Sequence, residues 1–394
     1  MNRYKSVQNA PKAGMRGASS ELPYHIIVLF CEVHLNMKIK TVLRSAIRLF
    51  GLLAVFSMGA TAHAESVVVK DIPFTAIDGV RVGNAQDTQG KTGVTVLCFP
   101  DGARTGVDIS GGGPASRETP VLDPTKEDIS IHAIVLAGGS AYGLAAADGV
   151  MKCLEENNIG YDTGFALVPL VVQSGIYDLS YGSANIRPDS AMGYAACQNA
   201  LTQSQPVSAS VGAGTGATVG KLCGMMQSQK SGIGYHAVQV GKLKLGAVVV
   251  VNALGDIYAH GQKIAGLMNK ERIGFLDSAR ELYRIAAPKD LLSRTNTTIG
   301  AIVTNGKFDK AELTRIAAQA RNAYARSINP VGTLADGDTI YASSCGLLVD
   351  ADVNMVGTLA AEVMAKAIEN AIVSSKMDDS EYLSNCLSLV EGQK

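Results

Sequence analysis

Ser293-Arg-Thr-Asn-Thr-Thr-Ile-Gly-Ala-Ile-Val-Thr304 takes the chain from a polar connection directly into an apolar, β-branched run. The connection behind it, Lys263 to Thr295, is rich in Lys, Arg, Asp and Glu and leans helical, whereas Thr298 to Thr304 reads as a buried strand. A polar segment of that kind is where a chain can be cut without destroying a core. The same criteria find strands at Gly93 to Phe99, His132 to Ala137, Leu167 to Gln173, Leu245 to Asn252 and Thr339 to Ser343. Helices are expected between them. Ser140 to Asn157 has small and apolar residues at helical spacing behind a serine able to cap it. Asp309 to Ile328 sets Leu313, Ile316, Ala317 and Ala320 on one face with charges opposite, and Val353 to Ile372 repeats the pattern. Val207 to Asp256 reads as strand-dominated. Strands and helices are therefore mixed along the chain, and two stacked sheets with helices outside, an α/β layered sandwich, accommodate that order.

The 394 residues suffice for one large or two ordinary domains. Lys and Arg total 35 and Asp and Glu also 35, so no broad basic field exists for nucleic acid or anionic lipid. The first 64 residues are set apart from the fold. Residues 1–36 read as an upstream extension outside the mature protein, and 37–64 as a signal peptide. Lys38, Lys40, Arg44 and Arg48 form its positive region, Leu49 to Met58 its apolar region, and Ala62-His63-Ala64 its cleavage site. The apolar run falls short of the ~20 residues that span a bilayer, though an uncleaved anchor is the alternative. A periplasmic or secreted protein, free of the membrane once the leader is removed, is expected. Six cysteines then remain, Cys98, Cys153, Cys197, Cys223, Cys345 and Cys386, as disulfides of undetermined pairing or as buried thiols.

The chemistry starts from a weakness of hydroxyl groups. A hydroxyl is a poor nucleophile unless a base stands beside it, and a Thr at a chain N-terminus carries its own α-amine, of ordinary pKa ~8, as that base. Creating such a terminus within a folded chain requires the Thr hydroxyl to attack the preceding carbonyl and the resulting ester to hydrolyse. Thr297, following Asn296 at a strand start, is placed for this, with its side chain facing an inter-sheet cleft. Taken alone, Asn-Thr is also a common turn pair. Asp336-Gly-Asp-Thr339 again precedes a strand. Its two acids are positioned to orient the new ammonium and the hydroxyl, although Asp-Gly is equally an ordinary turn.

Several further segments bear a family likeness. They are Gly79-Val-Arg-Val-Gly-Asn84, Gly111-Gly-Gly-Pro-Ala-Ser-Arg-Glu-Thr119 with Leu122-Asp-Pro124, and, most specific of all, Leu136-Ala-Gly-Gly-Ser-Ala-Tyr-Gly-Leu144. Val168-Pro169, Ile176-Tyr-Asp178, Val211-Gly-Ala-Gly-Thr-Gly216, Gly232-Ile-Gly234 and Val251-Asn252 follow in order. Over nearly all of residues 78–375 the chain resembles the DmpA-type L-aminopeptidase/D-esterases, a group that includes β-aminopeptidases and a nylon-oligomer hydrolase. The resemblance implies a four-layer αββα sandwich, as in the related ornithine acetyltransferases. It also implies one internal cut into a large chain, residues 65–296, and a small chain, 297–394, assembled as a homo-oligomer of such pairs. Thr297 matches the branch with a Thr nucleophile, as do Asp336 and Asp338, where the serine branch has Ser and Glu. Asn252 matches an Asn that holds the oxyanion, and Lys221 a lysine of the Thr branch. Tyr177 matches a substrate-side tyrosine, in an alignment that can slip to Tyr181.

Ordinary cofactor motifs do not fit. Val211 to Lys221 fails the phosphate-loop spacing, and the glycines at 212, 214 and 216 fail the dinucleotide fingerprint. Those glycines instead suggest backbone N–H groups approaching the reacting carbonyl. His132, His236 and His260 lack acidic companions at ligand spacing, so neither metal nor cofactor is expected. The leading expectation is a self-cleaving amide hydrolase acting on N-terminal residues of short peptides, amino-acid amides or esters. An endo-acting oligoamide hydrolase, an acyltransferase and a non-catalytic periplasmic binding protein on the same scaffold remain the alternatives.

Overall fold

The computed structural model describes residues 68–284 and 296–391. The upstream extension, the leader and the end of the polar connection lie outside the described residues. Ten strands join in one hydrogen-bonded sheet: β1 (Val69–Asp71), β2 (Arg81–Asp87), β3 (Thr92–Ile109), β4 (Ala115–Arg117), β5 (Ile131–Ala137), β6 (Val171–Gly175), β7 (Ile233–Val240), β8 (Leu243–Asn252), β9 (Thr297–Gly306) and β10 (Thr339–Val349). Their order is β1-β7-β8-β9-β10-β3-β5-β6-β4, with β2 also on β3. The two stacked sheets expected from the sequence thus share a strand. The first half of β3 pairs with β2 and β5, its last six residues pair with β10, and a register shift between Cys98 and Ala103 separates the halves. A bulge of this kind bends a strand from one sheet into the next.

Alternation along the strands builds three apolar layers. Leu97 and Phe99 of β3, Val248 and Val250 of β8, and Ile299, Ala301 and Val303 of β9 meet between the sheets. Val94, Val96 and Cys98 face the other way, onto α1 (Ala146–Glu156) and α2 (Ser190–Gln203). Ala247, Val249 and Val251, with Ile302, pack beneath α4 (Lys310–Ala320), α5 (Asn322–Ser327) and α6 (Val353–Val373), which follow α3 (Ser278–Arg284) in the chain. The result is the αββα sandwich. Both parallel pairs, β5 with β6 and β9 with β10, enclose helices as crossovers require. Close approach is built in at Gly234 of β7, where a Cβ would lie 2.0 Å from the Ala367 carbonyl oxygen of α6.

Several boundaries differ from expectation. Ser140 does not cap a helix. It follows Gly139 in a left-handed turn (φ 55° and 77°), a 3-10 turn runs through Ala145, and α1 begins only at Ala146. Leu167 to Gln173 is broken at Pro169, which has no N–H to give a ladder. Asp309 caps α4 through a capping box with Glu312, and the helical stretch breaks at Arg321 before α5. Within 207–232 only two two-residue strands occur, and regular strand begins at Ile233. Among the described residues the six cysteines are all free, five of them buried, which selects the thiol alternative.

Candidate active site

Thr297 opens β9, pairs with Asn252 at the end of β8, and shares the strand face of Ile299 and Ala301 between the sheets. Its hydroxyl donates to the carbonyl oxygen of Asn296, the residue it follows. Asn296 forms an isolated parallel bridge with Asp336, through which Gly337 N–H donates to the same carbonyl oxygen at 3.1 Å. Thr297, Asn296, Asn252, Lys221, Asp336 and Asp338 are all buried. The sequence-selected residues from four separate segments therefore converge on one peptide bond.

The two aspartates have backbone partners that the sequence does not announce. In the uncut chain they clamp backbone. Asp336 Oδ2 accepts from Thr333 N–H at 2.9 Å and from the Thr333 hydroxyl at 2.6 Å. Asp338 Oδ1 accepts from Thr298 N–H at 2.6 Å and its Oδ2 from Gly332 N–H at 3.0 Å. Gly113 N–H in turn donates to the Asp336 carbonyl oxygen at 2.8 Å, which explains why Gly111 to Gly113 belong with this site. Short acidic side chains favour local backbone bonds such as those to Thr333 and Gly332, and Asp338 adds one across the sheet to Thr298. Burial, with Asp336 alongside, pushes the Asp338 carboxyl up to about 7 against the opposing N–H bonds and Lys221.

Lys221 Nζ donates to the Asn252 carbonyl oxygen at 2.9 Å. Burial lowers its pKa to about 7, while Asp336, Asp178 and Asp338 favour the charged form. The Asn252 carboxamide is held at both ends: Oδ1 accepts from Thr218 N–H at 3.1 Å, and Nδ2 donates to the Tyr177 carbonyl oxygen at 2.9 Å. Tyr177 is thus adjacent to the site, half-buried. Tyr181 is not; it stacks on Tyr382 at 5.5 Å, under α7 (Asp379–Glu391). The glycine loop is corrected too. Gly212, Gly214 and Gly216 press against Asn84, Ile233 and Asp178, and the loop serves the site by orienting Asn252 through Thr218.

Asp178 is a buried group that sequence reasoning passed over, although its motif was noted. Its carboxylate accepts from Gly139 N–H and the Thr92 hydroxyl, both at 2.7 Å. Burial raises it to about 6 against those bonds and Lys221. It anchors both the Gly139 turn and the segment whose Tyr177 carbonyl grips Asn252. Lys230, also buried and lowered to about 7 by burial, donates to the carbonyls of Gly214, Ala217 and Ser231 on the same loop.

Solved structures share this architecture. A β-aminopeptidase of Burkholderia sp. superposes with a TM-score of 0.54 at 19% identity, over 80% of this chain and 93% of that one. The L-aminopeptidase D-Ala-esterase/amidase of Ochrobactrum anthropi, described as a variant of the Ntn hydrolase fold, gives 0.55 at 19% identity over the same shares. Among sequences, a Mycobacterium leprae protein named an uncharacterized aminopeptidase is 35% identical over 330 residues, 77% of this chain and 90% of that one. A 6-aminohexanoate-oligomer endohydrolase of Kocuria sp. is 36% identical over 309 residues, 74% and 84% respectively. Fold and relatives together define a hydrolase of peptide or amide bonds, of the N-terminal-nucleophile type. The match to the model described as peptidase family S58 spans residues 73–381, and the chain belongs to that family.

Proposed function

We propose that the chain cuts itself between Asn296 and Thr297, and that Thr297 then serves as the nucleophile of an aminopeptidase or amidohydrolase for short peptides, amino-acid amides or esters. The observation that carries this reading is the Thr297 hydroxyl seated on the Asn296 carbonyl, buried beside Asn252, Asp336 and Asp338. After the cut the Thr297 amine takes the hydroxyl proton as Oγ1 attacks the substrate carbonyl. Asn252 Nδ2, released from Tyr177, holds the oxyanion, the departing amine takes the proton, and water frees the acyl group. Lys221 steadies Asn252 through its main chain and offsets the buried carboxylates. Tyr177 lies on the substrate side. Export to the periplasm or beyond, suggested by residues 37–64, and assembly of the two-chain units into a homo-oligomer belong to the same proposal.

Intact-mass measurement of active protein is expected to give two chains, the second beginning Thr-Thr-Ile-Gly. Thr297→Ala is expected to stay whole and inactive, and Thr297→Ser to keep part of both reactions. An active enzyme that remains one chain refutes the reading. The kinship to 6-aminohexanoate-oligomer endohydrolases favours an endo-acting second reading. Product analysis separates the two: terminal residues from the first, internal fragments from the second.

A further inference from the structure

Two reactions are proposed at Thr297, the single cut of its own chain and repeated turnover of substrate, and each develops negative charge on a different oxygen. In the first, the oxygen is the Asn296 carbonyl, and its surroundings are visible in the uncut chain. Gly337 N–H points at it from 3.1 Å. The Asn252 carboxamide, by contrast, is engaged at both ends by Thr218 and Tyr177.

The geometry points to Gly337 N–H as the oxyanion donor of self-cleavage, separate from Asn252, whose donor serves turnover. This assignment rests on the Thr297 reading and extends it by naming a catalytic group for the maturation step.

Three features support it. First, the donor is preorganised, because the turn that presents it is tied on both sides. The Asp336 carboxylate ties it to Thr333, and the Asp338 carboxylate ties it to Gly332 and to β9 at Thr298. A fixed dipole stabilises developing charge without reorganising during the reaction. Second, glycine is required there. A Cβ at 337 would lie 2.9 Å from Thr297 Oγ1 and 2.8 Å from the Gly113 carbonyl oxygen, displacing the nucleophile. Third, the Asp-Gly-Asp motif gains one consistent physical role in the uncut chain, since the carboxylates hold the frame and the glycine supplies the donor.

The step balances. The Thr297 Oγ1–C bond forms to the Asn296 carbonyl carbon, and the π pair moves onto the oxygen facing Gly337. The C–N bond then breaks, and the hydroxyl proton ends on the Thr297 nitrogen. One water afterwards hydrolyses the ester, leaving an Asn296 carboxyl group and a Thr297 hydroxyl.

The test measures two rates on the same purified full-length proteins: first-order appearance of the two chains by intact mass, and turnover of an amino-acid amide once cut. Asn252→Ala is expected to split within about threefold of the wild-type rate yet lose about a hundredfold in turnover. Gly337→Ala, which keeps the N–H and adds the same Cβ, sets the reference, and Gly337→Pro, which also lacks the N–H, is expected to split at least about a hundredfold more slowly than that reference. Far-UV circular dichroism checks that each variant folds. If Gly337→Pro does not, the Asn252→Ala pair of rates decides. Loss of splitting in folded Asn252→Ala, or splitting of folded Gly337→Pro at the reference rate, overturns the assignment and leaves the Thr297 reading standing. A wild-type chain that never splits takes both down.

Discussion

Taking the uncut Thr297→Ala chain from pH ~4 to ~7 is expected to weaken it, and continuing to pH ~10 to strengthen it again. Burial holds Asp178 at about 6 and Asp338 at about 7, against an ordinary 3.8. Across that interval the folded chain keeps protons that the unfolded chain has released. The stability these two groups contribute is therefore full below about 4 and lost as pH rises through 6 and 7. Lys221 and Lys230, both lowered from 10.5 to about 7, act in the opposite direction. Between 7 and 10.5 the unfolded chain binds protons that the folded one refuses, so stability recovers as pH climbs. At ~1.4 kcal/mol per pKa unit, Asp178 sets a ceiling of ~3 kcal/mol and Asp338 one of ~4 kcal/mol. Water entry and small backbone shifts reduce the cost of ionising a buried carboxyl, so a combined fall of ~2–4 kcal/mol is expected. Urea unfolding followed by circular dichroism at several pH values reads it directly. Asp338→Asn is expected to remove about half of the fall. A flat or rising profile between pH ~5 and ~7, or an Asp338→Asn curve that overlays its parent, refutes the reasoning.

Gly234→Ala drives a methyl against the α6 backbone at Ala367 and Ala371 and is expected to cost ~2–3 kcal/mol in urea unfolding. Asp309→Ala removes the capping box of α4 and is expected to cost ~1 kcal/mol by the same assay. Denatured without reductant, the protein is expected to take iodoacetamide at each of Cys98, Cys153, Cys197, Cys223, Cys345 and Cys386, with mass spectrometry of the peptides locating the adducts.

The layers were legible because alternation and helical spacing report burial directly. Leu313, Ile316, Ala317 and Ala320 are buried as their spacing requires, and the strand beginning near Thr297 starts at Thr297 itself. The Asp-Gly-Asp motif before a strand suggested Asp336 and Asp338, whereas the placing of Asn252 and Lys221 at Thr297 was not in any local pattern and came from the family likeness. What stayed hidden depends on contacts between distant segments. Ser140 has a capping side chain, but Asp178 pulls Gly139 into a left-handed turn and moves the helix start to Ala146. That Asp336 and Asp338 also hold Thr333, Gly332 and Thr298 shows only once those segments are seen to meet. Asp178 itself was present in a noted motif. Its signal, an acid between apolar and aromatic neighbours, becomes informative only once Thr92 and Gly139 are known to meet it.

β9 and β10 lie side by side in the middle of the sheet, flanked by β8 on one edge and β3 on the other. A break after Asn296 would give this inner pair to the downstream piece while both flanking strands stayed with the upstream one. Neither fragment could then leave without unzipping two ladders at once, so the nicked molecule would migrate as one body until denatured. The same interleaving works against repair. Strands laid into place by a continuous chain would have to find their slots again as a bimolecular reaction, so such an enzyme would depend for its working life on how slowly it unfolds.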